Sequence, residues 1–111
     1  MKPLRTLLVD DERLARARLR RLLEIDSRVE VVAEARSVLD AVHILEHQLI
    51  DIIFLDIEMP GGSGFELFDH WRGDAAVVFV TAFDAFAQIL EQLLHLALLQ
   101  LFEDWNQDTA D

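Results

Sequence analysis

Ile50-Asp51-Ile52-Ile53-Phe54-Leu55-Asp56-Ile57-Glu58-Met59-Pro60-Gly61-Gly62-Ser63-Gly64 is the stretch on which the fold turns. Its opening, Ile50–Leu55, is a near-continuous apolar run of strand length, which suits a strand buried on both faces of a parallel sheet. The run ends at Asp56. Met59–Gly64 then holds three of the four glycines and one of the two prolines, a loop composition. Working outward, the same alternation repeats. Leu4–Val9 is a short apolar strand ending in Asp10-Asp11. Glu12–Ile25 has helical spacing, with Leu14, Ala15, Leu19, Leu22 and Leu23 on one face and arginines over much of the rest. Val29–Ala33 reads as a second strand, and Ser37 as the N-cap of a helix running to about Gln48. Beyond the loop, Phe65–Arg72 is a short helix closed by Gly73. Val77–Val80 is a fourth strand that ends at Thr81-Ala82. Strands alternating with amphipathic helices predict an α/β domain with a doubly wound parallel sheet.

The whole chain bounds the reading. It has 111 residues, enough for one domain, and 52% are hydrophobic, enough for a core. A net charge of −11 argues against a nucleic-acid or anionic-membrane surface. The absence of cysteine excludes disulfides and thiol chemistry. Met1–Asp10 lacks the pattern of a signal peptide, and His95 and Gln100 break the C-terminal apolar stretch before it reaches membrane-spanning length. There is a single lysine, Lys2, and no tyrosine.

Asp10, Asp11 and Asp56 stand at or just past the ends of the first and third strands. If those strands are neighbours, the three carboxylates converge in the crevice where doubly wound sheets bind ligands. Three such groups repel one another and call for a cation. Mg²⁺ fits, because it takes one or two carboxylates, keeps waters and bridges to phosphate oxygens. An aspartate beside it can attack phosphorus and form an aspartyl phosphate. Thr81, at the end of the fourth strand, could donate its hydroxyl to a phosphoryl oxygen.

Three motifs carry a resemblance. Thr6-Leu7-Leu8-Val9-Asp10-Asp11-Glu12, Leu55-Asp56-Ile57-Glu58-Met59-Pro60-Gly61-Gly62-Ser63-Gly64 and Val78-Phe79-Val80-Thr81-Ala82-Phe83-Asp84 occur in that order. They resemble the opening strand, phosphoacceptor loop and threonine switch of response regulator receiver domains. The Asp56–Pro60 and Thr81–Asp84 wording resembles the subclass with LytTR-type DNA-binding output domains. The resemblance implies a flavodoxin/CheY-like sheet of order 2-1-3-4, with a fifth strand where the family has one. It implies phosphorylation of Asp56 by a sensor histidine kinase in the cytoplasm. Asp11, Asp56 and the backbone carbonyl of Glu58 would hold Mg²⁺, Asp10 would reach it through water, and Thr81 would close on the phosphoryl group. Such a domain is a signalling module and not an enzyme beyond self-catalysed phosphotransfer.

The resemblance stops near Ala87. The family places a lysine and a proline at the end of its fifth strand; Gln100 and Leu101 stand there instead, and no lysine or arginine follows Arg72. The switch aromatic is also missing. Loss of that cation weakens charge neutralisation of the phosphoryl group. Two readings compete for the segment. Leu96–Leu101 is an ordinary fifth strand, or Ala85–Trp105 is one long helix that replaces both the fifth strand and the last helix. Helix propensity favours the second. Leu90, Leu93, Leu94, Ala97, Leu98 and Leu101 then need an apolar partner, which predicts a homodimer. The division expected is a receiver core at 1–84, an atypical helical segment of the same domain at 85–105 and a tail at 106–111. Nine residues after Phe102 are expected to be too few for the last helix, and no direct nucleic-acid binding is expected of these 111 residues.

Two functional readings follow: a phosphorelay receiver with impaired or altered switching, or a degenerate receiver acting as a phosphorylation-independent dimerisation and interaction module. A phosphohydrolase of the haloacid-dehalogenase kind would want an aspartate where Glu58 stands and a downstream lysine. The arginines at 13, 16, 18, 20 and 21 form a basic side of the first helix, either solvated or a docking surface for an acidic partner. His43 and His47, at i and i+4, have metal-ligand spacing but no apparent third ligand, so they read as a solvated face.

Overall fold

The computed structural model describes residues 2–59, 62–80, 95 and 98–107. Among them, four parallel strands form the main sheet: β1 (Leu4–Val9), β2 (Val29–Ala35), β3 (Ile52–Asp56) and β6 (Ala76–Val80). Their order is β2-β1-β3-β6, the expected 2-1-3-4 arrangement. The fourth parallel strand is numbered β6 because β4 (Glu58–Met59) and β5 (Gly62–Ser63) form a small antiparallel ribbon inside the segment read as loop.

Alternation along the strands divides the core in two. Leu4 and Leu8 of β1, with Ile52 and Phe54 of β3, face one layer. Leu7, Val9, Ile53 and Leu55 face the other. All five residues of β3 are buried, which is why its sequence is continuously apolar. Thr6 is the buried polar exception in β1, and its Oγ1 donates to the Leu4 carbonyl at 3.0 Å.

The helix α1 (Arg13–Glu24) buries Leu23 and packs Leu19 beside it, but Leu14 is 70% exposed and not on the core face. On the other side, α2 (Val38–His47) begins as expected, with Ser37 Oγ accepting from the Asp40 N–H at 3.1 Å. The helix expected over Phe65–Arg72 is shorter. A 3₁₀ turn, Gly64–Glu66, leads into α3 (Leu67–His70), which ends where Trp71 turns extended. Gly73 is not its cap. A Cβ there would lie 2.6 Å from the Trp71 ring, so Gly73 makes room for the indole.

The C-terminal segment bears on three expectations, the first of them the favoured helix reading. Residues 98–107 are helical, so Leu98–Leu101 is not a strand. Leu98 and Phe102 are 3% and 7% exposed and pack beside Leu4, Leu8, Leu23 and Phe54, with Leu101 and Trp105 against the same cluster. Leu98 and Leu101 therefore find apolar partners in the chain's own sheet. A helix does cover this face alongside α1, because it starts before Phe102. Leu90, Leu93, Leu94 and Ala97 lie outside the described residues, as does the division at 84–85. No helix among the described residues is long and apolar enough to cross a membrane.

Candidate functional site

The adjacency of β1 and β3 decides the site. Val9 pairs with Leu55, so the residues that follow, Asp10 and Asp56, emerge side by side from the sheet. One carboxylate oxygen from each of Asp10, Asp11 and Asp56 lies within 4.8 Å of the other two. Asp56 is 6% exposed; Asp10 and Asp11 are half-buried.

Each group is held locally. The Asp10 N–H donates to the Ala35 carbonyl at 3.0 Å, tying the end of β1 to β2. Asp10 Oδ1 accepts from the Glu12 N–H at 2.9 Å and turns the chain into α1. Asp56 Oδ1 accepts from the Glu58 N–H at 3.1 Å, the same two-residue turn at the end of β3. The Gly64 N–H donates to the Ile57 carbonyl at 2.8 Å and brings the loop back over the site.

Burial pushes the Asp56 carboxyl up to about 6, helped by repulsion from Asp10, Asp11 and Glu58 and opposed by the Glu58 N–H. Burial likewise raises Asp10, with repulsion from Asp11 and Glu12, while the Glu12 N–H and Arg16 act in the other direction. Arg16 does not neutralise the cluster by direct pairing. Its Nη1 donates to the Asp10 backbone carbonyl at 2.8 Å and its Nε to Glu34 at 2.9 Å. Three hard oxygen donors crowded at low exposure are the donor set that Mg²⁺ takes.

The structure thus brings together Asp10, Asp11 and Asp56. It puts Glu58 two residues on, with its amide on Asp56 and its side chain exposed. Thr81 lies outside the described residues; Val80, before it in the chain, pairs with Asp56. Lys2 precedes β1 and so belongs to the opposite end of the sheet. Gln100 is exposed on the C-terminal helix, where its Nε2 donates to Asp104 at 3.1 Å. The basic side of α1 is partly spent: Arg16 and Arg20 both pair with Glu34 of β2, at 2.9 and 2.7 Å.

One residue escaped the sequence reading. Gly64 is buried, and a Cβ there would lie 2.1 Å from the Asp56 carbonyl oxygen. Only glycine lets the loop approach the end of β3 this closely. Its signal was a third glycine in a loop already explained by the other two.

Sheet order and acidic crevice define the class: a doubly wound α/β domain with clustered carboxylates at the carboxyl ends of its central strands. The family model for the response regulator receiver domain matches residues 6–103. The chain belongs to that family, as a receiver domain of two-component response regulators. It is 42% identical over 87 residues to the sensory transduction protein LytT of Bacillus cereus, covering 76% of this chain and 35% of that protein. It is 38% identical over 86 residues to the transcriptional regulatory protein BtsR of Salmonella typhi, covering 76% and 36%. The chain therefore spans about a third of the length of these curated relatives. Among solved structures, the response regulatory domain of protein mrkE from Klebsiella pneumoniae superposes with a TM-score of 0.74 at 28% identity, covering 93% of this chain and 98% of that one.

Proposed function

We propose that this receiver accepts a phosphoryl group on Asp56 in a Mg²⁺-dependent step and couples it to a changed surface less effectively than its relatives do. The observation that supports this reading is the cluster of Asp10, Asp11 and Asp56 with carboxylate oxygens within 4.8 Å and Asp56 buried at its base. Asp11 and Asp56, with the backbone carbonyl of Glu58, would hold Mg²⁺, and Asp10 would reach it through water. The ion would neutralise the incoming phosphoryl oxygens. Asp56 Oδ then attacks phosphorus, and the bond from phosphorus to the donor's leaving group breaks. Thr81 would donate its hydroxyl to a phosphoryl oxygen. The donor would be a sensor histidine kinase, as the family's chemistry implies.

Reduced coupling follows from the missing cation. Lys2 is the sole lysine and belongs to the wrong end of the sheet, and Gln100 is engaged with Asp104. The same observation favours a second reading, a degenerate receiver that assembles with itself or a partner without phosphorylation. One experiment separates them: incubate the chain with Mg²⁺ and a small phosphodonor or beryllium fluoride, then read adduct mass and oligomeric state. An adduct present in the wild type and absent in Asp56→Asn supports phosphoacceptance. No Mg²⁺-dependent adduct, with a dimer indifferent to both ligands, supports the degenerate module.

A further inference from the structure

The end of α2 carries His43, Glu46 and His47, none of which serves the acidic pocket or the core. Sequence spacing left the histidine pair short of a third ligand, and the folded chain supplies one. A donor atom from each of the three lies within 4.8 Å of the other two, and all three side chains are exposed. The imidazole centroids are 4.5 Å apart. His47 Nδ1 lies 2.8 Å from the His43 backbone carbonyl. Donation to that carbonyl would fix the tautomer and leave Nε2 as the free lone pair, the way backbone carbonyls orient metal-binding imidazoles.

The donor chemistry selects the ion. Two imidazoles and one carboxylate suit Zn²⁺ and its borderline neighbours, whereas Mg²⁺ prefers oxygen alone. Zinc bonds of about 2.0–2.1 Å set tetrahedral donors about 3.3 Å apart, so rotation of exposed side chains closes the site without moving the helix. Its position also favours a cation. α2 ends at His47, where the last turn carries partial negative charge, in a chain of net charge −11. The neighbouring Gln48 and Leu49 line the groove at the strand-start end with Leu4 and Ile52, so the triad belongs to the end of the sheet away from Asp56.

We propose that His43, Glu46 and His47 form a surface site for a Zn²⁺-class divalent cation, with water in the remaining positions, distinct from the acidic pocket. Calorimetric titration of the full chain with ZnCl₂ in excess Mg²⁺ tests this. One Zn²⁺ binds per chain in the wild type. His43→Gln and His47→Gln each weaken it at least about tenfold, and Glu46→Gln weakens it by a smaller factor. Asp56→Asn and His70→Gln leave the affinity unchanged. Far-UV circular dichroism of each variant matches the wild type, since the three side chains are exposed. Zinc binding that survives the His43→Gln/His47→Gln double variant, disappears in Asp56→Asn, or never saturates overturns the assignment.

Discussion

The acidic pocket and the C-terminal helix are two regions of one small domain that solve opposite problems. The pocket crowds like charges: three carboxylates within 4.8 Å, with burial holding Asp56 up to about 6. The helix of residues 98–107 removes apolar surface from water, setting Leu98 and Phe102 against Leu4, Leu8, Leu23 and Phe54. One region lowers stability by crowding like charges; the other restores it by burying apolar surface. The residues that carry chemistry and those that carry folding energy are therefore separable by mutation.

The largest effect is expected from the helix. Phe102→Ala removes a nearly buried ring and should cost about 3–5 kcal/mol in chemical denaturation. A loss below about 1 kcal/mol would mean that the helix does not seal the sheet, and the comparison would fail.

Gly64→Ala joins the two regions, since it sits at the pocket but acts through sterics. A methyl group 2.1 Å from the Asp56 carbonyl forces the loop away, so about 2–3 kcal/mol of stability should be lost together with Mg²⁺ affinity. Unchanged stability and affinity would show that the loop yields freely.

Asp56→Asn should act in the opposite direction. A carboxyl raised from 3.8 to about 6 binds its proton more tightly in the folded chain than in the unfolded one. Its stabilising contribution is complete below pH 3.8 and is lost as pH rises to about 6. Without Mg²⁺, the variant should exceed the wild type by about 1–3 kcal/mol at neutral pH and match it near pH 3. Thermal melts across that window, with and without Mg²⁺, check this; a variant less stable than the metal-free wild type at pH 7 refutes it.

The smallest effect lies outside both regions. Ser37→Ala removes the α2 cap and should cost about 1 kcal/mol with no change in Mg²⁺ affinity, read by denaturation and calorimetry in parallel.

What could be read from the residues follows the range of the forces involved. β1 was legible to the residue, and β3 nearly so, because burial on both faces writes itself as an unbroken apolar run. Once those strands were neighbours, Asp10, Asp11 and Asp56 had to meet. Ser37 was legible because capping acts within one turn. Contacts between distant parts of the chain were not. Glu34 draws Arg16 and Arg20 off the basic face of α1 across 18 and 14 residues. Trp71, not helix termination, dictates Gly73. Leu98 and Leu101 read as part of an apolar helix in search of a partner because nothing local marks the sheet face they pack against.

The central claim is that the three clustered carboxylates act as one Mg²⁺ site on which phosphoacceptance depends. Calorimetric titration of the chain with MgCl₂ at pH 7, beside Asp56→Asn and Asp11→Asn, tests it most directly. The account predicts one Mg²⁺ bound per wild-type chain and at least about tenfold weaker binding in both variants. No binding to the wild type, or equal binding to all three proteins, would contradict it.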